Sequence, residues 1–227
     1  MPINKEAYTS IIDELEKKRV RLVAVSKTKP VSDILELYNL GQRDFGENYV
    51  QELTEKYSRL PQDIRWHFIG HLQSNKVKSI ASFIHLIHAV DSFKLLKEIN
   101  KQAQKNNRVI DCLLQVHIAQ EETKFGFNEE ELDELVHIHS KELEELKNIN
   151  VIGLMGMASF SDDINKVRNE FACLQSLFTK YALLPGPNFQ LQTLSMGMSG
   201  DYKTAIEEGS TMVRIGSLLF GERNYQQ

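Results

Sequence analysis

Short apolar runs and amphipathic stretches alternate along the whole chain. The run Arg21-Leu22-Val23-Ala24-Val25-Ser26-Lys27 is β-branched and apolar on both parities, the pattern of a strand buried on both faces of a parallel sheet. Ahead of it, Tyr8, Ile11, Ile12 and Leu15 recur at helical spacing. Behind it, Pro30-Val31-Ser32-Asp33 has the composition of a helix start, with Ile34, Leu37 and Tyr38 on one face. Further strands are predicted over residues 43–46, 65–69, 84–90, 110–118, 151–155, 190–194 and 212–215, which brings the number to eight. Helical patterns lie between them. One carries Leu132, Leu135, Val136, His139, Leu143 and Leu146 and opens on Asn128, with Glu131 three residues later as a capping-box partner. Another carries Ile164, Val167, Phe171, Leu174 and Phe178.

Eight β-then-α units predict a closed parallel (β/α)8 barrel. A doubly wound open sheet is the alternative, because periodicity does not prove closure. The chain has 227 residues, close to the roughly 250 of a typical barrel. With 5 prolines, 12 glycines and no linker-like tract, it reads as a single domain over residues 1–227, without internal repeats.

The bulk composition narrows the function classes. A content of 41% hydrophobic and 26% charged residues is that of a globular protein. The net charge is −4, from 27 basic and 31 acidic side chains, which argues against a nucleic-acid partner, since phosphate contacts need a basic surplus. No apolar run approaches the roughly 20 residues that span a bilayer, and the N-terminus lacks the apolar core of a signal peptide. A cytoplasmic protein without a membrane partner is expected, and a monomer is the default expectation. Cys112 and Cys173 stand in apolar surroundings and read as thiols of a reducing compartment.

In a barrel of this kind, chemistry gathers where the strands end. The polar residues there are Lys27, Glu47-Asn48, Gly70-His71, Asp91, Met155-Gly156-Met157, Ser195 and Arg214-Ile215-Gly216-Ser217. Lys27 shares parity with Val23 and Val25. If those point into the barrel, its amine points into the mouth, where desolvation lowers a lysine pKa and frees it to attack carbonyls. A lysine snorkelling from a strand end is the plain alternative. The segment Ser195-Met196-Gly197-Met198-Ser199-Gly200-Asp201 precedes a helical stretch, and hydroxyls and glycines ahead of a helix start suit an anion. Together with Arg214, Gly216 and Ser217 it falls where barrels of this fold seat phosphate, after strands seven and eight. Singly, each segment reads more simply as a turn; their placement together is the stronger signal.

Other groups read more simply. His67 and His71 are four apart, but on a strand pattern, so a packing or hydrogen-bonding role is expected and no metal site is assigned. His137 and His139 read as surface or core-edge residues, and Glu129-Glu130-Glu131 and Glu142, Glu144 and Glu145 as solvated helix faces. Met155, Met157, Met196 and Met198 fit either core packing or the lining of an aromatic ring.

Several of these segments resemble the pyridoxal-phosphate homeostasis proteins. The resemblance runs through Val23-Ala24-Val25-Ser26-Lys27-Thr28-Lys29, Asp44-Phe45-Gly46-Glu47-Asn48-Tyr49-Val50-Gln51-Glu52 and Trp66-His67-Phe68-Ile69-Gly70-His71-Leu72-Gln73-Ser74-Asn75-Lys76. It continues in Lys124-Phe125-Gly126-Phe127, Gly153-Leu154-Met155-Gly156-Met157 and Leu194-Ser195-Met196-Gly197-Met198-Ser199-Gly200-Asp201, and closes with Val213-Arg214-Ile215-Gly216-Ser217 and Phe220-Gly221-Glu222-Arg223. The motifs stand in family order from about residue 20 onward. The resemblance implies a barrel like the N-terminal domain of alanine racemase, with pyridoxal 5′-phosphate (PLP) as a Schiff base on Lys27. It implies ring and phosphate contacts from Asn48, Met157, Ser195, Met196, Ser199, Arg214, Gly216 and Ser217. Two departures are small: Ser217 stands where threonine is common but keeps a hydroxyl, and His71 occupies a variable place.

The function that follows is PLP binding within vitamin B6 and amino-acid homeostasis, with PLP-dependent apoenzymes as possible recipients and no turnover of its own. An amino-acid racemase or decarboxylase is the alternative. Such enzymes add a second, β-rich domain bearing a catalytic tyrosine, and about ten residues after the last strand leave no room for one. Tyr225 is the only late tyrosine. A Schiff-base aldolase would explain Lys27 and the phosphate loops, but not the full motif set.

Overall fold

The computed structural model describes residues 3–119, 125–184 and 186–221. The elements alternate as α1 (Lys5–Lys18), β1 (Arg21–Val25), α2 (Val31–Asn39), β2 (Asp44–Glu47), α3 (Val50–Arg59), β3 (Arg65–Phe68), a 3-10 helix (Ser74–Ser79), β4 (Leu86–Val90), α4 (Phe93–Lys105) and β5 (Ile110–Val116). They continue as α5 (Glu129–Asp133), a π-helical turn (Glu134–Ile138), α6 (Ser140–Glu144), β6 (Ile149–Gly156), α7 (Ile164–Ala182), β7 (Phe189–Ser195), α8 (Tyr202–Glu207), β8 (Met212–Ile215) and α9 (Ser217–Phe220). The strands are all parallel, and β8 pairs back onto β1, so the sheet closes into an eight-stranded barrel in sequence order. An open sheet is thereby excluded.

Closure sorts every strand by parity. Leu22, Ala24, Phe45, Ile87, Cys112, Leu114, Leu154, Val213 and Ile215 face outward into the large core shared with the helices. Val23, Leu86, Ala89, Leu113, Met155 and Met212 form a second, smaller apolar cluster inside the barrel. Barrel interiors are usually dominated by bulky branched residues. Here the same inward parity also carries Asp44, His67, His88, Ser195 and Arg214, all buried. Gly153 lies where the β5–β6 and β6–β7 registers shift, and a Cβ there would sit 1.8 Å from the Thr193 carbonyl oxygen. Only glycine lets β6 approach β7 that closely.

Three sequence expectations shift. The β1 ladder stops at Val25, so Lys27 stands in a turn just past the strand rather than within it. The helix read through Leu132–Leu146 is broken by the π-helical turn, in which the His139 N–H reaches the Glu134 carbonyl. Val136, Ile138 and Ser140 are poor helix formers and give that stretch little local support. Its start is as expected: Asn128 and Glu131 form a complete capping box. Cys112 is buried, as its surroundings suggested, but Cys173 is exposed on α7. Among the described residues, no helix is long and apolar enough to cross a membrane.

Candidate functional site

The residues after β1 make a tight turn. The Lys29 N–H donates to the Ser26 carbonyl at 3.0 Å, and Thr28 takes a left-handed φ of 63°, unusual for a β-branched residue. Three groups hold that turn. The Thr28 N–H donates to Glu52 at 2.6 Å, the Ser26 hydroxyl to Glu47 at 2.6 Å, and the Lys56 ammonium to the Ser26 carbonyl at 2.8 Å. Lys56 also pairs with Glu47 and Glu52, each at 2.7 Å, although Lys56 and Glu47 are both buried. Burial pushes the Glu47 carboxyl up to about 7, against the opposing pull of Lys56. Half-buried Lys27 is presented by this clamped turn.

Two polar atoms next to this turn lack partners among the described residues. Glu47 Oε2 and Asn48 Oδ1 are buried and accept no hydrogen bond from any of them. Orphaned buried acceptors cost free energy unless something supplies a donor. Asn48 is also approached closely by the segment after β3: a Cβ on Gly70 would lie 2.8 Å from the Asn48 carbonyl oxygen.

On the other flank of β1, the exits of β7 and β8 come together. Gly197 has φ +96°, and a Cβ there would meet that of Ala205 at 2.6 Å, so the loop needs glycine. The Ser199 hydroxyl accepts from the Gly216 N–H at 3.2 Å and links the two loops. Gly216 in turn abuts β1, its ideal Cβ position lying 3.2 Å from the Val25 carbonyl oxygen. Ser217 is exposed and opens α9, whose first N–H groups have no intrahelical acceptor. The strand ends thus place Lys27, two residues past Val25, beside the Ser199–Gly216–Ser217 loops.

Arg214 lies deeper than a strand-end reading suggests. It is buried, donating from Nη1 to the Ser195 carbonyl at 2.8 Å and hydroxyl at 2.7 Å, and from Nη2 to the Gly156 carbonyl at 3.0 Å. Burial lowers its pKa to about 10. Ser195 is fully buried and also touches His88 Nδ1 at 3.1 Å. Met157 is half-buried against the barrel-interior cluster. Met196 is different: its side chain is fully buried in the outer core, and its N–H is used on the Met212 carbonyl at 3.1 Å. The structure therefore gathers Lys27, Asn48, Met157, Ser199, Gly216 and Ser217 at the rim, with Ser195 and Arg214 below, and leaves Met196 behind the sheet.

The two histidines four apart separate. His67 is buried, both ring nitrogens engaged by Asp44 and His88, each at 2.9 Å. His71 is exposed, on Asp91 at 2.9 Å, and stacks on Phe125 with ring centroids 4.3 Å apart. His137 is exposed, and half-buried His139 touches Glu142. Residues 120–124 and 222–227, with Lys124 and Tyr225 among them, lie outside the described residues. Sequence reasoning missed Glu47 and Lys56 as a clamp, and Asp44 and His88 as interior partners. Their signal was positional: His88 shares the parity of Leu86 on a strand that is apolar on both faces.

The family described as alanine racemase, N-terminal domain, matches residues 4–224. The pyridoxal phosphate homeostasis protein of Aquifex aeolicus (strain VF5) is 46% identical over 206 residues, covering 90% of this chain and 88% of its own. The chain belongs to the pyridoxal phosphate homeostasis protein family. The member from Haemophilus influenzae is 42% identical, covering 91% of this chain and 86% of its own. Among solved structures, PipY of Synechococcus elongatus PCC7942 is known with PLP bound. It superposes with a TM-score of 0.84 at 33% identity, covering 95% of this chain and 99% of that one. PipY without PLP gives a TM-score of 0.88.

Proposed function

We propose that this chain holds pyridoxal 5′-phosphate at the C-terminal mouth of the barrel, as a Schiff base on Lys27. One observation carries the reading: the closed barrel brings the clamped Lys27 turn against the β8 exit, so an amine and a hydroxyl- and glycine-rich anion seat share one rim. The residues fit the group. Ser199, Ser217 and the N–H groups at the start of α9 offer donors to a phosphate, and half-buried Asn48 presents a buried side-chain oxygen that has no partner among the described residues. Arg214 and Ser195 form a cationic, hydrogen-bonding floor, and Met157 an apolar wall. When bound, PLP supplies an electrophilic aldehyde and an electron-withdrawing ring. The protein's part is to bind and orient it. PipY, solved with PLP bound, supports the assignment by its 33% identity over nearly the whole chain.

The reading extends to role. The chain, a single barrel domain over residues 1–227, acts in the cytoplasm as a monomeric PLP binder that supports cofactor and amino-acid homeostasis, rather than as a racemase or decarboxylase. PLP-dependent apoenzymes are the proposed recipients. The names of its relatives, homeostasis proteins rather than enzymes, support this. The absorption spectrum of the purified protein with PLP, before and after borohydride, followed by peptide mass mapping, tests attachment. The reduced adduct is expected on the Lys27 peptide, and an adduct confined to Lys29, Lys76 or Lys203 refutes the assignment. Incubation with common amino acids tests the role. Spectral exchange without racemisation or decarboxylation is expected, and turnover on the order of 1 per second or faster contradicts it.

A further inference from the structure

A line of polar side chains crosses the barrel interior from the mouth inward. Arg214 Nη1 donates to Ser195 Oγ at 2.7 Å. Ser195 Oγ lies 3.1 Å from His88 Nδ1, His88 Nε2 lies 2.9 Å from His67 Nδ1, and His67 Nε2 lies 2.9 Å from Asp44 Oδ1. Beyond Asp44, Arg65 closes the line with two bonds, at 2.8 and 2.5 Å. Each of the five members from Arg214 to Asp44 is at most 5% exposed. Apolar residues of similar size would fill this space at less desolvation cost.

With both imidazoles neutral, one placement of hydrogens makes every contact a hydrogen bond. Although burial opposes it, hydrogen bonds from Arg65 and His67 hold the Asp44 carboxyl well below the ordinary carboxylate range, so Asp44 is an acceptor. His67 must then donate from Nε2. A neutral ring has one bare nitrogen, so His67 Nδ1 accepts, and His88 must donate to it from Nε2. That leaves His88 Nδ1 bare. The Ser195 hydroxyl must donate to it, and its oxygen is then free to accept from Arg214. Burial lowers the pKa of both imidazoles and favours these neutral forms. Asp44 opposes this at His67, while Arg21 and Arg65 reinforce it; at His88, the charges of His67, Arg214 and His85 reinforce it. The chain runs one way, from a guanidinium near the mouth to a carboxylate at the N-terminal end of β2.

We propose that His88 is a positioning residue for the cofactor site: backed by His67 and Asp44, it fixes the direction of the Ser195 hydroxyl and thereby the seat of the Arg214 guanidinium. This rests on the reading that Ser195 and Arg214 form the floor of that site. The link is specific, because His88 touches the floor through Ser195, on a strand 107 residues away in sequence. An apolar residue at position 88 would leave Ser195 free to rotate and Arg214 with a weakened partner.

Two measurements test it. The first compares PLP binding and the pH titration of the visible absorption band in wild type, His88→Leu and His88→Asn. Asparagine keeps an acceptor near the position of Nδ1. His88→Leu is expected to weaken PLP retention about tenfold, the scale of a lost hydrogen bond to a charged network, and to shift the titration midpoint. His88→Asn is expected to restore most of both. A folded His88→Leu with wild-type retention and an unshifted midpoint overturns the proposal, as does His88→Asn behaving like His88→Leu. The second measurement needs no variant at position 88: nitrogen-15 NMR of the histidine rings in the wild-type protein. Both His67 and His88 are expected to carry their proton on Nε2, with the His88 Nδ1 resonance moving in Ser195→Ala. A His88 ring protonated on Nδ1 overturns the chain's direction and the proposal with it. If wild type shows no visible band with added PLP, the cofactor reading fails instead, while the tautomer result still stands for the chain.

Discussion

Lys56, on α3, sets its ammonium 2.8 Å from the Ser26 carbonyl and 2.7 Å from the Glu47 carboxylate, so the turn that presents Lys27 is held from beneath by a buried ion pair. Glu52 extends the clamp to the Thr28 N–H, on the residue whose φ of 63° shapes the turn. A left-handed threonine costs on the order of 1 kcal/mol or more and persists only where its surroundings enforce it. The clamp is that enforcement, and it is independent of any ligand.

Lys56→Met should therefore act on Lys27 at a distance. The methionine keeps most of the volume but strands Glu47 in an apolar setting and removes one of the two donors to the Ser26 carbonyl, leaving only the Lys29 N–H. Breaking a buried pair from one side costs about 3–5 kcal/mol. That cost is expected above pH 7, and a smaller one at pH 5, where Glu47 can take up a proton. Denaturant unfolding at the two pH values measures it. Equal destabilisation at both would mean that Glu47 stays ionised throughout.

The sign of the Glu47 contribution follows from its direction of shift. Its folded pKa, pushed up to about 7 by burial, lies above the roughly 4.3 of an unfolded glutamate. The folded state thus binds the proton more tightly, and the contribution is fully present below about pH 4.3 and lost as pH rises through 7. Glu47→Gln removes that titration. Relative to wild type, the variant should gain stability steadily between pH 4.5 and 7, by at most about 4 kcal/mol, and hold that gain above pH 7. Melting temperatures across this range check it, and a difference that is flat with pH contradicts it.

Much of the frame was legible in the sequence, for identifiable reasons. Strands buried on both faces leave continuous apolar runs, so β8 stands at residues 212–215 as read, and Asn128 with Glu131 marks a helix start by chemistry confined to one turn. What the sequence hides is pairing at long range. Lys56 sits on an amphipathic helix where a lysine ordinarily reaches water; it is buried only because α3 packs over the β1 exit. Ser195 was visible as a strand end, but its inward direction depends on register with Met212 across β7 and β8. His67 and His88 were visible singly, and no local pattern joins residues 21 positions apart.

Gly70→Ala should disturb the rim without touching the Lys27 turn. Its new Cβ would lie 2.8 Å from the Asn48 carbonyl oxygen, closer than real contacts allow, and a tight 3.1 Å from the Asn48 Cβ, and backbone cannot yield as a flexible side chain would. Asn48 must shift. Stability is expected to fall by about 1–3 kcal/mol, the usual range for overpacking, and PLP retention to fall with it. Retention at the wild-type level in a destabilised Gly70→Ala would remove Asn48 from the binding site.

Arg214 and Ser199 offer the sharpest separation of binding from folding. Arg214→Ala deletes a buried guanidinium that satisfies the Ser195 carbonyl, the Ser195 hydroxyl and the Gly156 carbonyl. Acceptors left unpaired in the core cost about 1–3 kcal/mol each before any ligand is considered. Weak PLP retention in that variant would therefore conflate a damaged barrel with a damaged site. Ser199 is half-buried on the rim, and its hydroxyl touches the Gly216 N–H of the neighbouring loop. Losing it should change stability by no more than about 1 kcal/mol. If the loops seat the phosphate, Ser199→Ala should still weaken PLP binding by about threefold to tenfold, the equivalent of roughly 0.7–1.4 kcal/mol. Inorganic phosphate should compete with PLP less effectively in the variant than in wild type. Equilibrium dialysis at fixed ionic strength, paired with thermal unfolding of the same samples, makes the comparison. Unchanged PLP and phosphate binding in a stable Ser199→Ala would move the phosphate away from the β7 and β8 loops and leave Lys27 to be explained without them.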